Sequence, residues 1–460
     1  MLEKLANIFR VPDLRKRVLF TLGLLAVYRV GGHIPTPGIN ADRLAQFFEQ
    51  NRGSVLGFVD LFSGGNLRRL TIFALGIMPY ITASIILQLL TVVYEPLAKL
   101  QKEGEMGRKK ITQWTRYLTV VLSAVQSFGI AISLQRAGDF VNNPGPGFIL
   151  MTMLTLTTGS AFIMWLGEQI TERGVGNGMS LLIFAGIVVG LPRGIAELYE
   201  KASNDAWGAF TFPAIVMLLI LMIAVVAFIV YVERSERRIP VQYAKRVVGR
   251  KVMGGQSTHL PLRVNAGGVM PVIFASSILA LPQMVGQAFH NNRYIGPTLD
   301  ALRWGEPLYA TLYAVGIIFF AYFYISIVFN PNEVADNMRK WGGFIPGIRP
   351  GKRTSDFIND VLTRITLVGA FYLILISLIP EWMIAGIKLN HLWLVGRYFE
   401  SLPTWVTNGL GVTFYFGGTS LLIVVGVAMD TVTQIEAQLI MRHYDGFTPR
   451  SGRMRGRRIW

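Results

Sequence analysis

The chain contains no cysteine, and only 15% of its 460 residues are charged. Without cysteine it can form no disulfide, no thiolate nucleophile and no cysteine-ligated metal site. Soluble domains carry about 25% charged residues, so the low charge is unusual for a soluble protein. The five histidines are scattered, and none has the spacing of a metal-binding pair.

Two glycine-containing stretches suggest nucleotide binding, but neither fits. In GIRPGKR (347–353), the position that a phosphate-binding loop reserves for its first glycine is Pro346, and Arg353 follows Lys352 where serine or threonine is needed. GVGNG (174–178) follows a long apolar run, so a tight turn is the better interpretation. We therefore predict no enzyme, with no catalytic residue, no cofactor and no bound metal.

Long apolar runs dominate what is present. Hydrophobic residues make up 52% of the chain, and the mean hydropathy is +0.44. A bilayer core needs about 20 apolar residues of helix, which indicates a polytopic membrane protein with ten spans. The spans are near 18–32, 74–94, 116–135, 148–167, 179–192, 213–232, 267–285, 308–329, 365–383 and 411–430. Residues 1–17 do not have the pattern of a cleavable signal peptide. We expect them to form an amphipathic helix on the membrane surface.

The location of the basic residues sets the orientation. With ten spans, both termini lie on one side, and that side holds 32 of the 44 lysines and arginines. By the positive-inside rule, both termini are cytoplasmic. Two long cytoplasmic loops follow, Glu233–Asn265 and Asn330–Arg364. Alternation around Val247–Val252 allows a β-hairpin in the first loop.

From their charge alone, these two loops are interpreted as solvated basic surfaces that face the lipid. The basic tail, 431–460, is expected to be disordered at its end and attracted to anionic membrane lipids. The interiors of the spans contain essentially no acidic or basic residues. Ion-coupled transporters place such residues in mid-membrane, so their absence makes a transporter a less favoured alternative. It stays open, because carbonyls at broken helices can also bind ions.

Six motifs resemble the SecY family, the channel subunits of bacterial protein translocases. They occur in the expected order and are distributed over most of the chain, from residue 61 to residue 430. They are LFSGGNLRRLTIFALGIMPYITASIILQLL (61–90), KEGEMGRKKITQWTRY (102–117), ITERGVGNGMSLLIFAGIV (170–188), YAKRVVGRKVMGGQSTHLPLRVNAGGVMPVIFASSIL (243–279), GGFIPGIRPGKRT (342–354) and FYFGGTSLLIVVGVAMD (414–430). The resemblance implies an all-α fold of two five-helix halves, 18–192 and 193–430, related by pseudo-symmetry around an hourglass pore.

The resemblance also implies a plug and a pore ring. The plug is expected at 60–71, as a short helix re-entering from the outer side, with Gly76 and Pro79 separating it from the next span. Its residues are Asp60, Leu61, Phe62, Ser63, Gly64, Gly65, Asn66, Leu67, Arg68, Arg69 and Leu70. The ring residues are Ile77, Ile81, Ile183, Ile187, Ile273 and Ile423. From spacing alone, isoleucines in spans are more often lipid-facing or core residues.

By the same resemblance, a lateral gate lies between spans two and three on one side and spans seven and eight on the other. Its uncharged polar residues are Thr82, Gln88, Gln126, Ser276 and Ser277. Hydrogen bonds between such groups in membranes average about 0.6 kcal/mol, which is weak enough for a gate that opens. Ordinary helix contacts are the alternative interpretation. Contacts to the ribosome or to SecA are expected at Arg246, Arg250, Lys251, Arg263 and Arg349.

The implied function is a passive channel for unfolded preproteins and nascent membrane segments in the bacterial plasma (inner) membrane. The implied partners are SecE and SecG in a heterotrimer, the SecA ATPase, the ribosome and its RNA, and signal sequences. A plastid translocase of the same family is a further alternative, although no transit peptide is evident. The sequence leaves open the loops at 286–307 and 384–408, the role of the tail and the oligomeric state.

Overall fold

The structure is a computed structural model, and it describes residues 11–40, 43–44, 46, 63–136, 140–203, 211–243, 246–248, 251–253, 257–286, 301–302, 306–385 and 418–445. Several predicted features lie outside these ranges: residues 1–10, the first three plug residues Asp60 to Phe62, Arg250, most of the two open loops, residues 411–417 of the tenth span and the end of the tail. For Arg246 and Lys251 the structure describes the backbone only.

Helices make up most of the described chain. They are α1 (Pro12–Gly31), α2 (Met78–Val93), α3 (Glu95–Lys102), α4 (Glu105–Arg136), α5 (Pro146–Arg173), α6 (Gly178–Ser203), α7 (Thr211–Arg234), α8 (Met270–Gly286), α9 (Pro307–Val328), α10 (Pro331–Lys340), α11 (Lys352–Ala385) and α12 (Gly418–Asp445). Apart from α3 and α10, each overlaps one of the ten predicted spans.

By length and hydropathy alone, five described helices can cross a membrane, or six if the bent pair α2 and α3 counts as one span. The bend between α2 and α3 is 105°. It occurs at Tyr94, whose backbone is extended, and Pro96 opens the following helix. A proline in the first turn costs no helical hydrogen bond, so the chain can turn sharply here. The same holds for Pro79 in the first turn of α2, as the sequence predicts.

The helices bury one face and expose an apolar one. In α9 the buried residues recur every three or four positions, at Tyr309, Tyr313, Ile317 and Phe320, while Val315 and other large apolar side chains are exposed. This spacing is one face of a helix. The exposed apolar face is what a lipid environment requires, since lipid solvates it as well as a protein core does.

Five short strands form two sheets in the described residues of the two long loops: β1 (Glu236–Tyr243), β2 (Arg246–Val248), β3 (Lys251–Met253), β4 (Ser257–Arg263) and β5 (Gly343–Phe344). The pair β2–β3 is the predicted hairpin, with Val247 opposite Val252. The other sheet has the order β4–β1–β5. Since β5 belongs to the second long loop, the two loops are joined by strand pairing.

A small apolar core lies beneath this sheet. It combines Ile239 and Leu262 from the first loop with Ile345 from the second and Ile358 and Leu362 from α11. The two loops are therefore one packed unit rather than two separate solvated loops. Sequence analysis treated them separately, because the residues that meet are about one hundred positions apart.

Candidate functional site

Six buried isoleucines, carried by four helices and by the residue that precedes one of them, belong to the same large hydrophobic cluster. All are buried, with Ile81 the most exposed at 7%, and all belong to one contiguous hydrophobic cluster. The contributing elements are α2 and the residue before it, α6, α8 and α12. The set is Ile77, Ile81, Ile183, Ile187, Ile273 and Ile423. These are the residues that the sequence resemblance assigns to the pore ring.

On one side of this cluster lies a cavity of about 450 Å³. Ile81, Ile183 and Ile273 form part of its wall. The cavity lies among the ends of α4 and α5 that the charge pattern assigns to the cytoplasm. Much of the remaining wall is polar, so water can fill the cavity up to the isoleucines.

An ion pair crosses the wall of this cavity. The Arg116 Nε donates a hydrogen bond to the Glu168 Oε1 at 2.8 Å, and it links α4 to α5. Glu172, one turn further along α5, also lines the cavity. Sequence analysis missed this pair. Arg116 and Glu168 are 52 positions apart, and no spacing rule connects them.

The described part of the expected plug, residues 63–70, packs against α6, the helix that carries Ile183 and Ile187. We expected a short helix over residues 60–71, and that expectation is wrong for residues 64–71, which form turns, a bend and an isolated β-bridge at Thr71. Gly64, Gly65 and Gly76 have positive φ, between 57° and 82°. A right-handed helix cannot continue through such backbone conformations.

The plug segment is nevertheless firmly seated. Ser63, Asn66 and Leu70 are buried. The Tyr28 hydroxyl of α1 donates to the Ser63 carbonyl oxygen at 3.4 Å, and the Asn66 Nδ2 donates to the Tyr28 hydroxyl oxygen at 3.5 Å. The Leu70 carbonyl accepts from the Thr36 N–H at 2.9 Å. The segment is therefore tied to α1 and to the stretch that follows it.

Two glycines meet where the plug contacts α6. A Cβ added to Gly64 would lie 2.8 Å from the Gly186 Cα. Only a residue without a side chain allows this approach, and Gly64 also has a φ of +72°. The contact holds the plug against the helix that carries Ile183 and Ile187.

Helix α8 packs against α2 and α4 along a seam, and these three helices carry the expected gate residues. Thr82, Ser276 and Ser277 are buried. Their hydroxyls bond mainly within their own helices: Thr82 to the Met78 carbonyl oxygen at 3.0 Å, and both serines to the Ile273 carbonyl oxygen, at 2.9 Å for Ser276 and 2.7 Å for Ser277. The helices are thus not held together by strong polar bonds at these positions.

One contact does cross the seam. The Ser277 hydroxyl also lies 4.0 Å from the Met78 Sδ, which is a weak interaction. The Gln88 Nε2 donates to the Ser84 Oγ within α2 at 3.3 Å. The Gln126 Oε1 is buried and has no hydrogen-bond partner. Such an unsatisfied group has a cost that a conformational change can relieve.

Two of the expected docking residues have described side chains, Arg349 and Arg263. Arg349 is exposed, in a turn whose glycines Gly347 and Gly351 have φ of +82° and +110°. Its carbonyl oxygen accepts from the Thr354 hydroxyl at 3.0 Å, which fixes the turn. Arg263 differs, because its Nη1 lies 3.5 Å from the Asp430 Oδ1 and its charge is partly neutralised within the protein.

A further polar contact, which sequence analysis missed, lies beside Arg263. The Asn265 Nδ2 donates to the Glu233 Oε1 at 2.7 Å and to the Gly268 carbonyl oxygen at 3.1 Å. Burial raises the pKa of the Glu233 carboxyl, an effect that the nearby Asp430 reinforces and the Asn265 hydrogen bond opposes. Charge patterns along the loop contain no signal for this pair.

Comparison with known proteins shows which family has a similar sequence and fold. The sequence model of the SecY family matches residues 71–432. The chain is 49% identical over 439 residues to the protein translocase subunit SecY of Escherichia coli strain K12, covering 94% of this chain and 93% of the relative.

Solved structures show the same fold at much lower identity. One, described as a protein conducting channel, has a TM-score of 0.63 at 18% identity over 94% of each chain. Another, Sec61 in the canine ribosome-channel complex from the endoplasmic reticulum, has a TM-score of 0.59 at 18% identity over 94% of each chain. The extent of the family match and the 49% identity settle the assignment: the chain belongs to the SecY family.

Proposed function

We propose that this protein is the channel subunit of a protein translocase. It moves unfolded preproteins across the bacterial plasma membrane and releases membrane segments sideways into lipid. The observation that carries the proposal is that six isoleucines from both halves of the chain belong to one buried hydrophobic cluster. Three of them line a partly polar cavity, and the segment proposed as the plug packs against α6, which carries two of them.

An apolar constriction suits this task for two physical reasons. An empty narrow apolar passage excludes water and therefore ions. Aliphatic side chains also contact passing residues without directional preference, so sequences of many kinds can pass. Because the ring bonds no particular chemical group, the channel is selective for an extended chain and not for its sequence.

The plug adds a second barrier. In the proposed idle state Ser63–Leu70 lies under the ring, and the glycine contact between Gly64 and Gly186 holds it there. The contacts of this segment described above are non-covalent packing and hydrogen bonds, and a further hydrogen bond runs from the Arg29 Nη1 to the Gly64 carbonyl oxygen at 3.5 Å. A passenger chain can therefore displace it at a modest cost.

The seam between α8 and the pair α2 and α4 is proposed as the lateral gate. The hydroxyls of Thr82, Ser276 and Ser277 are satisfied within their own helices. Separating the helices thus breaks few hydrogen bonds, and it exposes apolar surface that lipid or an apolar signal helix can cover. Spans two, three, seven and eight would border this opening.

The proposed arrangement in the membrane follows the charge pattern. Both termini and the two long loops, 233–265 and 330–364, would be cytoplasmic. The halves 18–192 and 193–430 would form the two sides of the hourglass, with 1–17 on the membrane surface and the basic segment 431–460 as a cytoplasmic tail near anionic lipid.

The energy would come from partners, because a passive channel supplies none. We propose SecA or a translating ribosome as the source, docking on the joined cytoplasmic loops at Arg349 and at the β2–β3 hairpin. Canine Sec61, which has this fold, was solved in a ribosome-channel complex, and this supports the ribosome as a partner. SecE and SecG are the proposed companion subunits.

Reconstitution tests the proposal. The protein is placed with SecE in liposomes, and a secretory precursor is added with SecA and ATP. We expect protease-protected precursor only when SecA and ATP are both present and the signal sequence is intact. Protection without SecA, or uptake of a small solute or ion in place of the precursor, would refute the proposal and favour a transporter.

A further inference from the structure

The gate helix α8 begins in an unusually constrained turn. A Cβ added to Gly369 of α11 would lie 2.7 Å from the Val264 carbonyl oxygen, and one added to Gly426 of α12 would lie 2.6 Å from the Val269 Cγ2. Two other helices therefore approach the turn closely enough that only glycine fits. Helices α11 and α12 therefore both pack directly against the turn that precedes α8.

Polar contacts fasten the same turn to a third helix and again to α12. Asn265 is buried and donates to the Glu233 Oε1, at 2.7 Å, near the end of α7. It also donates to the Gly268 carbonyl oxygen, at 3.1 Å, and so shapes the turn itself. The Arg263 Nη1 lies 3.5 Å from the Asp430 Oδ1 of α12.

The ionised form of the Glu233 carboxyl is energetically unfavourable at this position. Glu233 is in the last turn of α7, where the helix dipole disfavours negative charge, and it is largely buried, which disfavours the ionised form. A bond from the Asn265 amide offsets part of this cost; removing Asn265 takes this donor from the Glu233 carboxyl, and removing Glu233 leaves the Asn265 Nδ2 with the Gly268 carbonyl oxygen as its remaining acceptor of the two. The position therefore has a specific role toward Asn265.

We propose that Glu233 is a positioning residue for the gate helix. Through Asn265 it holds the start of α8 in place, so that Ile273 closes the ring and Ser277 meets Met78 across the seam. In this view α8 opens by swinging its far end about this anchor. The inference rests on the proposed function, since it concerns how one gate helix is held.

A disulfide reports the geometry directly. The chain has no cysteine of its own, so Met78→Cys and Ser277→Cys together introduce a single possible pair, at positions where the Ser277 Oγ lies 4.0 Å from the Met78 Sδ across the seam. A cysteine sulfur lies closer to the backbone than the methionine sulfur, so the rate of disulfide formation under mild oxidant reports how closely the two helices approach. With Glu233→Ala added, we expect a rate lower by about tenfold, as one hydrogen bond to a charged group is lost.

Two variants separate positioning from general damage. Glu233→Gln keeps the Oε1 acceptor for Asn265, so we expect a rate close to that of the unmodified background. Glu236→Ala removes an exposed carboxylate on β1 that pairs with Arg238 at 2.9 Å, and it serves as the matched control with no effect. Equal rates for Glu233→Ala and this control would overturn the inference.

A second set of variants exchanges the hydrogen-bond donor and acceptor between positions 265 and 233. It tests the inference even if the Glu233→Ala protein does not accumulate in the membrane. Asn265→Asp removes the donor and faces Glu233 with a second carboxylate, and we expect slow disulfide formation. Adding Glu233→Gln supplies an amide donor from the other side, and we expect the rate to recover. A double variant as slow as Asn265→Asp alone would contradict the inference.

The outcome is independent of the proposed function. Disulfide formation needs neither SecA nor a precursor. Failure of the wild-type protein to translocate precursor would refute the proposed function without changing the rates, whereas unchanged rates in a protein that translocates would overturn the anchor alone.

Discussion

The contact between Gly64 and Gly186 makes the plug sensitive to a single methyl group. In Gly64→Ala the new Cβ would lie 2.8 Å from the Gly186 Cα and 3.1 Å from its carbonyl oxygen. Both atoms belong to the backbone of α6 and cannot rotate away. Overpacking of this kind costs about 1–3 kcal/mol.

The backbone conformation adds to this cost. Gly64 has a φ of +72°, and a residue with a Cβ pays about 1–2 kcal/mol there. Together the two effects weaken the seated state by roughly 2–5 kcal/mol. We expect the fraction of idle channels with an unseated plug to rise by about thirtyfold or more, since every 1.4 kcal/mol is about tenfold.

A neighbouring residue separates the two effects. Gly65 has a φ of +82°, but its added Cβ would meet only the Arg68 Nη2, at 4.0 Å. Gly65→Ala therefore carries the backbone strain without the clash. We expect its effect to be smaller by about tenfold, which corresponds to the overpacking alone.

The assay is single-channel conductance of the idle protein in planar bilayers. The second readout is export of a precursor with a defective signal sequence, because an unseated plug lowers the requirement for a good signal. We expect the order Gly64→Ala, then Gly65→Ala, then wild type in both assays. Identical behaviour of the two alanine variants would show that the glycine contact does not hold the plug.

Three other predictions follow from the structure. Exchanging Ile183 and Ile187 together for glycine removes two buried side chains from the ring, so we expect ion leakage through idle channels; unchanged bilayer conductance would count against the ring. Arg349→Glu should impair SecA-driven translocation more than ribosome-driven insertion, with Arg353→Glu as a control in the same loop, and equal loss in both pathways would refute that division. The raised pKa of Glu233 means that the folded protein takes up a proton more readily than the unfolded chain. The contribution of Glu233 to stability should therefore fall as the pH rises through its raised pKa. Thermal unfolding in detergent should show this dependence in the wild type and not in Glu233→Gln.

Much of the helical layout could be predicted from local sequence. All ten predicted spans overlap helices, and Pro79 begins α2 as expected. The reason is that a chain in lipid must satisfy its backbone hydrogen bonds within the segment, so a long apolar run is nearly sufficient to specify a helix. The β2–β3 hairpin was also predictable, because alternation along a strand is a local pattern.

Local reasoning failed where backbone geometry depends on neighbours. The plug was expected to be helical, yet residues 64–71 form turns, a bend and an isolated β-bridge around glycines with positive φ. Glycine permits this conformation without requiring it. The contacts with Tyr28 and Gly186 select it, and neither is visible from the plug sequence.

The sequence by itself determined the membrane class and the approximate spans, and with the family motifs it predicted six isoleucines as a pore ring. Only the tertiary structure decided that these six isoleucines are buried in one hydrophobic cluster. It also decided that Arg116 reaches Glu168, that Asn265 reaches Glu233, and that two distant loops share one sheet. In a membrane protein, apolar residues face lipid, the core and the pore alike, so composition and spacing do not distinguish these surfaces. The packing of helices far apart in the chain does.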